Sequence, residues 1–275
     1  MMRILRIVVL IVFIGVSAIF AKYYYSEVRS EDKTLPVIKV EEELISVSTK
    51  VENDEFLVGL SAYDEKDGDI TDKIIVESIS KFYEPGVCKI TYAVCDSDNH
   101  VATATRKVRY EGYTAPKFTL ERPLLFNLGE RVNLSAIVGA VDCLEGDISH
   151  NVIVTSNDYK SGQQGIFHVE MKVSNTKGDI VTLRAPMIIE EKEVRAPEIL
   201  LTHNIVYTTA GHKLNLEKYI DTVTDAEGNE IDPALVTINS EIKYKVPGAY
   251  SVHYNVTDSL DRNGHTILTV VVTEN

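Results

Sequence analysis

Three acidic loops hold the side chains of this sequence with the clearest capacity for chemistry. The first reads Asp64-Glu65-Lys66-Asp67-Gly68-Asp69-Ile70, the second Asp142-Cys143-Leu144-Glu145-Gly146-Asp147-Ile148, the third Asp225-Ala226-Glu227-Gly228-Asn229-Glu230-Ile231. Carboxylates at this density suit a hard cation, and Ca²⁺ takes about six to eight oxygen ligands. In the first loop the candidate ligands are Asp64, Asp67 and Asp69, joined by Asp96 and Asp98 from a turn expected at the same end. The corresponding later sets are Asp142, Glu145 and Asp147, and Asp225, Glu227 and Asn229 with Asp258 and Asp261. The competing reading is structural. Asp, Asn and Gly bond nearby backbone amides and tolerate left-handed geometry, so the same strings also shape turns. Their spacing is not that of the helix-loop-helix calcium loop. No cofactor is required; calcium is the one cation the loops would suit.

Other chemistries find less support. The seven histidines show no His-x-His or His-Glu-x-x-His spacing. His168 and His253 fall on the outward parity of their strands and are expected to be solvated. Cys88 and Cys95 lie about 23 Å apart along an extended strand, beyond disulfide reach. With Cys143 in the second loop, three free thiols are expected, Cys88 among them as a core residue. There is no Gly-x-Ser-x-Gly elbow, P-loop or dinucleotide-binding glycine pattern. Paired carboxylates at a wet loop tip lack the cleft a glycosidase needs. An enzyme is therefore the least favoured class. Asp and Glu number 41 against 28 Lys and Arg, for a net charge of -13. That balance argues against nucleic acid and against anionic lipid as a partner of the folded part. Trp is absent, which weakens a sugar-stacking role. The aromatic candidates for a binding patch are Tyr110, Tyr113, Tyr159 and Tyr207.

The loops belong to a repeat. Leu35-Pro36, Ala115-Pro116 and Ala196-Pro197 each open a stretch of about eighty residues. After each acidic loop comes a glycine and then strict alternation. Gly86 leads Cys88, Ile90, Tyr92 and Val94; Gly165 leads Phe167, Val169, Met171 and Val173; Gly248 leads Tyr250, Val252, Tyr254 and Val256. Period two dominates, and turn signals such as Asp67-Gly68 and Pro85-Gly86 separate the runs. In the first stretch the alternating run is expected to start early, with Phe56, Val58, Leu60 and Ala62 on one face. Leu134 to Ala140 and Leu214 with Leu216 would be its counterparts. Tyr92 and Tyr254 should bury their rings beside a polar partner for each hydroxyl. The expected class is all-β: three tandem sandwiches after an N-terminal helix.

Residues 1–25 read as a membrane anchor or a secretory signal. Arg3 and Arg6 precede the apolar run 7–21, and Lys22 with Tyr23, Tyr24 and Tyr25 follows. The tyrosines stand where an interfacial aromatic belt would stand. An uncleaved anchor is the favoured reading, with the membrane met through residues 7–21 and a secreted form as the alternative. Both send the acidic C-terminal part out of the cytoplasm, because the positive flank stays inside. Residues 26–34 read as a flexible stalk. The sandwiches are expected at 35–111, 112–193 and 194–275, with junctions short enough for a semi-rigid rod reaching on the order of 100 Å.

Residues 59–74, Gly-Leu-Ser-Ala-Tyr-Asp-Glu-Lys-Asp-Gly-Asp-Ile-Thr-Asp-Lys-Ile, resemble the bacterial surface immunoglobulin-like domain family, of a type also found in a pesticidal crystal protein. Pro85-Gly86 through Asp96 and Pro247-Gly248 through Asp258 are similar to that family's Pro-Gly-led strand. The second stretch has Gln164-Gly165 instead and lacks the terminal Asp, and the third has one extra loop residue. The resemblance implies an immunoglobulin-like sandwich on a cell-surface protein and no particular ligand. The expected role is a non-catalytic spacer for adhesion or presentation. A module binding a glycan or a surface protein of the envelope is the alternative.

Overall fold

The computed structural model describes residues 2–30, 33–50, 53–160 and 162–274. Helix α1 spans Met2–Ser30. Its Arg6–Tyr25 stretch is 20 residues long with a mean hydropathy of 2.2, none of it buried. That length and apolarity suffice to cross a bilayer, and a signal sequence has the same character. The helix runs on through residues 26–30, where the sequence suggested a stalk. Once a helix is nucleated, adding residues of moderate propensity costs little. Residues 31 and 32 lie outside the described residues, and Lys33 and Thr34 have no regular structure.

The remainder is β-structure. The first stretch contains β1 (Val37–Val40), β2 (Leu44–Ser48), β3 (Leu60–Asp64), β4 (Gly68–Asp69), β5 (Ile75–Ile79), β6 (Val87–Cys95) and β7 (Val101–Glu111). The second contains β8 (Lys117–Leu120), β9 (Leu125–Asn127), β10 (Val138–Asp142), β11 (Gly146–Asp147), β12 (Ile153–Asn157), β13 (Gly165–Ser174) and β14 (Ile180–Glu190). The third contains β15 (Glu198–Leu201), β16 (Ile205–Thr209), β17 (Ile220–Thr224), β18 (Thr237–Ser240), β19 (Gly248–Thr257) and β20 (Asn263–Thr273). The same strand order recurs. The four-stranded sheets run β2-β7-β6-β5, β9-β14-β13-β12 and β16-β20-β19-β18. In each, the short first strand lies parallel to the last strand of its stretch and every other pair is antiparallel. The small sheets are β1-β3-β4, β8-β10-β11 and β15-β17. In the third, a single Thr224–Glu230 bridge replaces the tiny strand.

The early alternating runs are not strands. Asn53–Leu57, Leu134–Ala136 and Glu217–Tyr219 are short 3-10 turns. In the first stretch Gly59, at φ 74°, follows the turn and resets the parity. Phe56 is therefore buried while Val58 is 70% exposed. Beyond that point the alternation holds. Cys88, Ile90, Tyr92 and Val94 are buried, as are Val169, Met171 and Val173, and Val252, Tyr254 and Val256. The two sheets of the second stretch share one core, Phe118, Val138 and Ala140 meeting Val169, Met171 and Ala185. In the third, Ile199 and Val223 meet Val252, Tyr254, Leu268 and Val270.

The chain divides into two compact units. One holds the chain up to Ser80 together with Val87–Glu111; the other holds Lys81–Gly86 and everything from Gly112 onward. Inside the second unit the two stretches do more than follow each other through a short linker. Ile267 and Val271 of β20 belong to the core cluster of the second stretch, with Ile205, Tyr207 and Ala249 packed against it.

Candidate functional site

The first two acidic loops are the turns between adjacent strands of the small sheet, β3 to β4 and β10 to β11, and the third is closed by the Thr224–Glu230 bridge. The central glycines need left-handed backbone, with φ 77° at Gly68, 75° at Gly146 and 87° at Gly228. One buried or half-buried aspartate then gathers the loop amides. Asp64 Oδ1 accepts from the N–H groups of Lys66 and Asp67, both at 2.9 Å. Asp142 Oδ1 accepts from Leu144 at 2.8 Å and Glu145 at 3.1 Å. Asp225 Oδ1 accepts from Glu227 at 2.9 Å and Asn229 at 2.8 Å.

The turn after the long β-strand uses the same device. Asp96 Oδ1 accepts from the amides of Asp98 and His100 at 2.9 and 2.7 Å, while Oδ2 meets His100 Nδ1 at 2.8 Å. Asp258 Oδ1 accepts from the amides of Leu260 and Arg262, and Oδ2 from Arg262 Nε. Asn175 holds this place in the second stretch, its Oδ1 accepting from the Asp179 amide.

The two loops are then tied together. Asp67 accepts from Ser97 N–H and Oγ–H, each at 2.6 Å, and Lys66 Nζ donates to Asp98. Glu145 accepts from Thr176 through the same pair of groups, at 2.8 Å each. Glu227 pairs with Arg262 and Arg195. Asp64, Asp67, Asp69, Asp96 and Asp98 thus meet at one end of the first stretch, as their spacing suggested. Among the described residues, no group of three or more His, Cys, Asp or Glu is arranged to hold a metal ion. Most of their oxygens are engaged by backbone and side-chain donors. Asp64 is 2% exposed, and its Oδ2 has no hydrogen-bond partner. In the second stretch the equivalent oxygen, Asp142 Oδ2, accepts from Asn175 Nδ2 at 3.0 Å. Asp96 stands where Asn175 does and has no proton to donate.

The electrostatics follow the bonds. The Ser97 hydroxyl and amide hold the Asp67 carboxyl below its ordinary value, and Thr71 does the same for Asp69. The Asp147 carboxyl is lowered by Ser149, Asp225 by Asn229, and Glu227 by Arg262. Burial pushes Asp96 and Asp258 upward, but donors from His100 and from Arg262 outweigh it and leave both lowered. These carboxylates are held ionised. That is the opposite of what a general acid requires.

The other expected residues resolve as follows. Cys88 is buried, Cys95 exposed and Cys143 half-buried, and none of the three is in a disulfide. Tyr92 donates to Phe56 O and Tyr254 to Leu216 O, each at 2.9 Å. The four tyrosines do not form an exposed aromatic patch. Tyr110 is 6% exposed. Tyr113 donates to Asp179 Oδ2 at 2.6 Å, Tyr207 donates to Phe118 O at 3.1 Å, and Tyr159 packs edge-on against Phe167. Tyr110 points inward from β7, and the other three are covered by residues distant in sequence, which alternation alone does not register. His168 is partly open beside Asp158. His253 departs from expectation: it is half-buried and bonded to His265.

Arg106 was not anticipated. It is 3% exposed. Nε donates to Tyr92 Oη and Nη1 to Val58 O, both at 2.8 Å, and Nη2 to Phe56 O. The signal was present, since Arg106 shares the inward parity of Val108 and Tyr110. Within the second unit there is also an open cleft of about 900 Å³, lined by Arg122, Glu190, Arg195, Ile199 and His265 among others.

Recurrent pairs of facing sheets, each with a split first strand that runs parallel to the last, define the class as an immunoglobulin-like β-sandwich protein carrying one N-terminal apolar helix. Residues 47–109 match the sequence model of the family described as bacterial surface protein, Ig-like domain. The match lies within the first stretch. The pesticidal crystal protein Cry22Aa of Bacillus thuringiensis is 27% identical over 230 residues, which is 78% of this chain and 30% of that protein. An uncharacterised 81.3 kDa protein of Acholeplasma phage L2 is 25% identical over 142 residues, 49% of this chain and 18% of that protein. The chain thus spans less than a third of either relative. Among solved structures, Drosophila N-cadherin EC1-4 aligns at 12% identity and a TM-score of 0.24, covering 88% of this chain and 68% of that one. The CBM51-2 and INT domains of Clostridium perfringens ZmpB, solved with GlcNAc, align at 20% identity and a TM-score of 0.23, covering 54% and 26%. Scores this low carry no functional weight.

Proposed function

We propose that this chain is a non-catalytic protein of the bacterial cell surface, tethered by its N-terminal helix and serving as a spacer for adhesion or presentation. One observation carries the reading. A helix whose 20-residue apolar stretch Arg6–Tyr25 is not buried stands ahead of a segment that matches a surface Ig-like family. Arg3 and Arg6 would keep the amino terminus inside, and the acidic remainder would face outward. The sandwiches at 35–111, 112–193 and 194–275 would then form the spacer, the second and third as divergent copies of the first. Carboxylates held ionised in turns support this reading.

The test is protease shaving of intact cells that express the full chain with a C-terminal tag. The tag should be lost without lysis, and the amino terminus should be recovered intact in the membrane fraction by mass spectrometry. A tag protected until lysis would overturn the outward orientation. A mature protein beginning after residue 18 or 21 would replace the tether by secretion.

A further inference from the structure

The second and third stretches meet across one face of β19 and β20. Ala249, Ile267 and Val271 supply its apolar part. The same face carries groups that a permanent interface would not favour. Ser251 and Thr269 are cross-strand partners, and each buries a hydroxyl oxygen without a hydrogen-bond partner. Beside them runs a chain of three titratable side chains. Both oxygens of Glu190, at the end of β14, lie within 2.9 Å of His265 Nδ1. His265 Nε2 lies 3.0 Å from His253 Nδ1, with the ring planes 2° apart and their centroids at 5.2 Å. That is an in-plane imidazole–imidazole hydrogen bond. It holds one shared proton between the two nitrogens.

We propose that Glu190, His265 and His253 form a pH-sensitive latch, which keeps the sheet of the third stretch seated on the second while His253 is neutral and releases it when His253 takes a proton. One extra proton fits the chain, because His265 can donate at both nitrogens, to Glu190 and to His253 Nδ1. A proton on His253 as well sets N–H against N–H. Burial lowers the His253 pKa from its ordinary value, as does the charge of His265, and Glu190 and Glu241 pull the other way. Those three are the charged groups that act on it most strongly. The seated form therefore binds that proton less readily than the released form. Seating is complete above the ordinary histidine value of about 6.5. Below it, the released fraction grows by up to about tenfold per pH unit until the lowered value is reached. Release also returns the Ser251 and Thr269 hydroxyls to water, which offsets part of the apolar exposure.

The experiment is hydroxyl-radical footprinting of the full chain in detergent at about pH 7.5 and about pH 5, comparing wild type with His253→Asn. Asn places an amide near the Nδ1 position and does not titrate. Labelling of Tyr207, Ile267 and Val271 should rise about tenfold in the wild type at the lower pH, with Tyr92 in the other unit as the unchanged reference. In His253→Asn the labelling should not depend on pH, whether it stays low with the amide as a substitute or high with the link lost. A circular-dichroism melt confirms that the variant is folded, and His253→Gln replaces it otherwise. Equal wild-type labelling at both pH values would overturn the latch, as would the same rise in a folded variant.

Discussion

Arg106 shows what one side chain can decide. In β7 it opposes Ile90. The same register place is Ala185 opposite Val169 in the second stretch and Leu268 opposite Val252 in the third. An interior position that takes an apolar residue twice takes a guanidinium once. Arg106 is held by two backbone carbonyls and the Tyr92 hydroxyl. A buried ion held by carbonyls gains specificity more than stability. Arg106→Leu should therefore change unfolding stability by no more than about 1 kcal/mol in either direction. Tyr92→Phe should cost more, about 2 kcal/mol, because it strands the Arg106 Nε–H as well as losing its own bond to Phe56 O. Tyr254→Phe, with only the Leu216 carbonyl to lose, should cost about 1 kcal/mol. Urea denaturation of the three variants checks the order; Arg106→Leu as the most damaging would refute it.

The acidic loops are the recurring element, and their wiring explains their composition. A carboxylate at the loop entry gathers two amides, glycine supplies the left-handed step, and a later acidic residue reaches across to the neighbouring turn. The orphan Asp64 Oδ2 marks the one place where the pattern is incomplete. Asp96→Asn would supply the donor that Asn175 supplies to Asp142, and should raise the melting midpoint by about 2 °C. A lowered midpoint would mean that the His100 ion pair outweighs the missing donor. Calcium tests the same element from another side. Because donors already occupy most of these oxygens, millimolar Ca²⁺ should move the midpoint by less than about 1 °C. A rise of several degrees, abolished in Asp64→Asn, would support the ion-binding reading of Asp64, Asp67, Asp69, Asp96 and Asp98.

Across the whole molecule these turns add to a surface of net charge -13 that is built to stay ionised. Asp67, Asp69, Asp147, Asp225 and Glu227 all have folded pKa values below their ordinary ones. The unfolded chain therefore binds protons before the folded chain does. The associated stability is complete above the ordinary carboxylate value of about 4 and is lost as pH falls through the lowered values. Thermal melts of His253→Asn, in which the latch does not titrate, should show a midpoint that is flat from about pH 7 and drops only below about pH 4; a midpoint that rises in acid would contradict the sign. The sequence by itself determined the β class, the three recurring landmarks, the buried Tyr92 and Tyr254 with their bonded hydroxyls, and the meeting of each acidic loop with its neighbouring turn. Those features rest on period two and on turn chemistry, which act between residues close in the chain. It misplaced the start of the alternating runs because a 3-10 turn followed by Gly59 shifts parity without changing composition. Packing between distant strands put Arg106 inside, covered Tyr207 and Ile267 with the second stretch, and brought Glu190 to His265. Those partners lie far apart in sequence, and it is the docking of whole sheet faces that brings them within bonding distance.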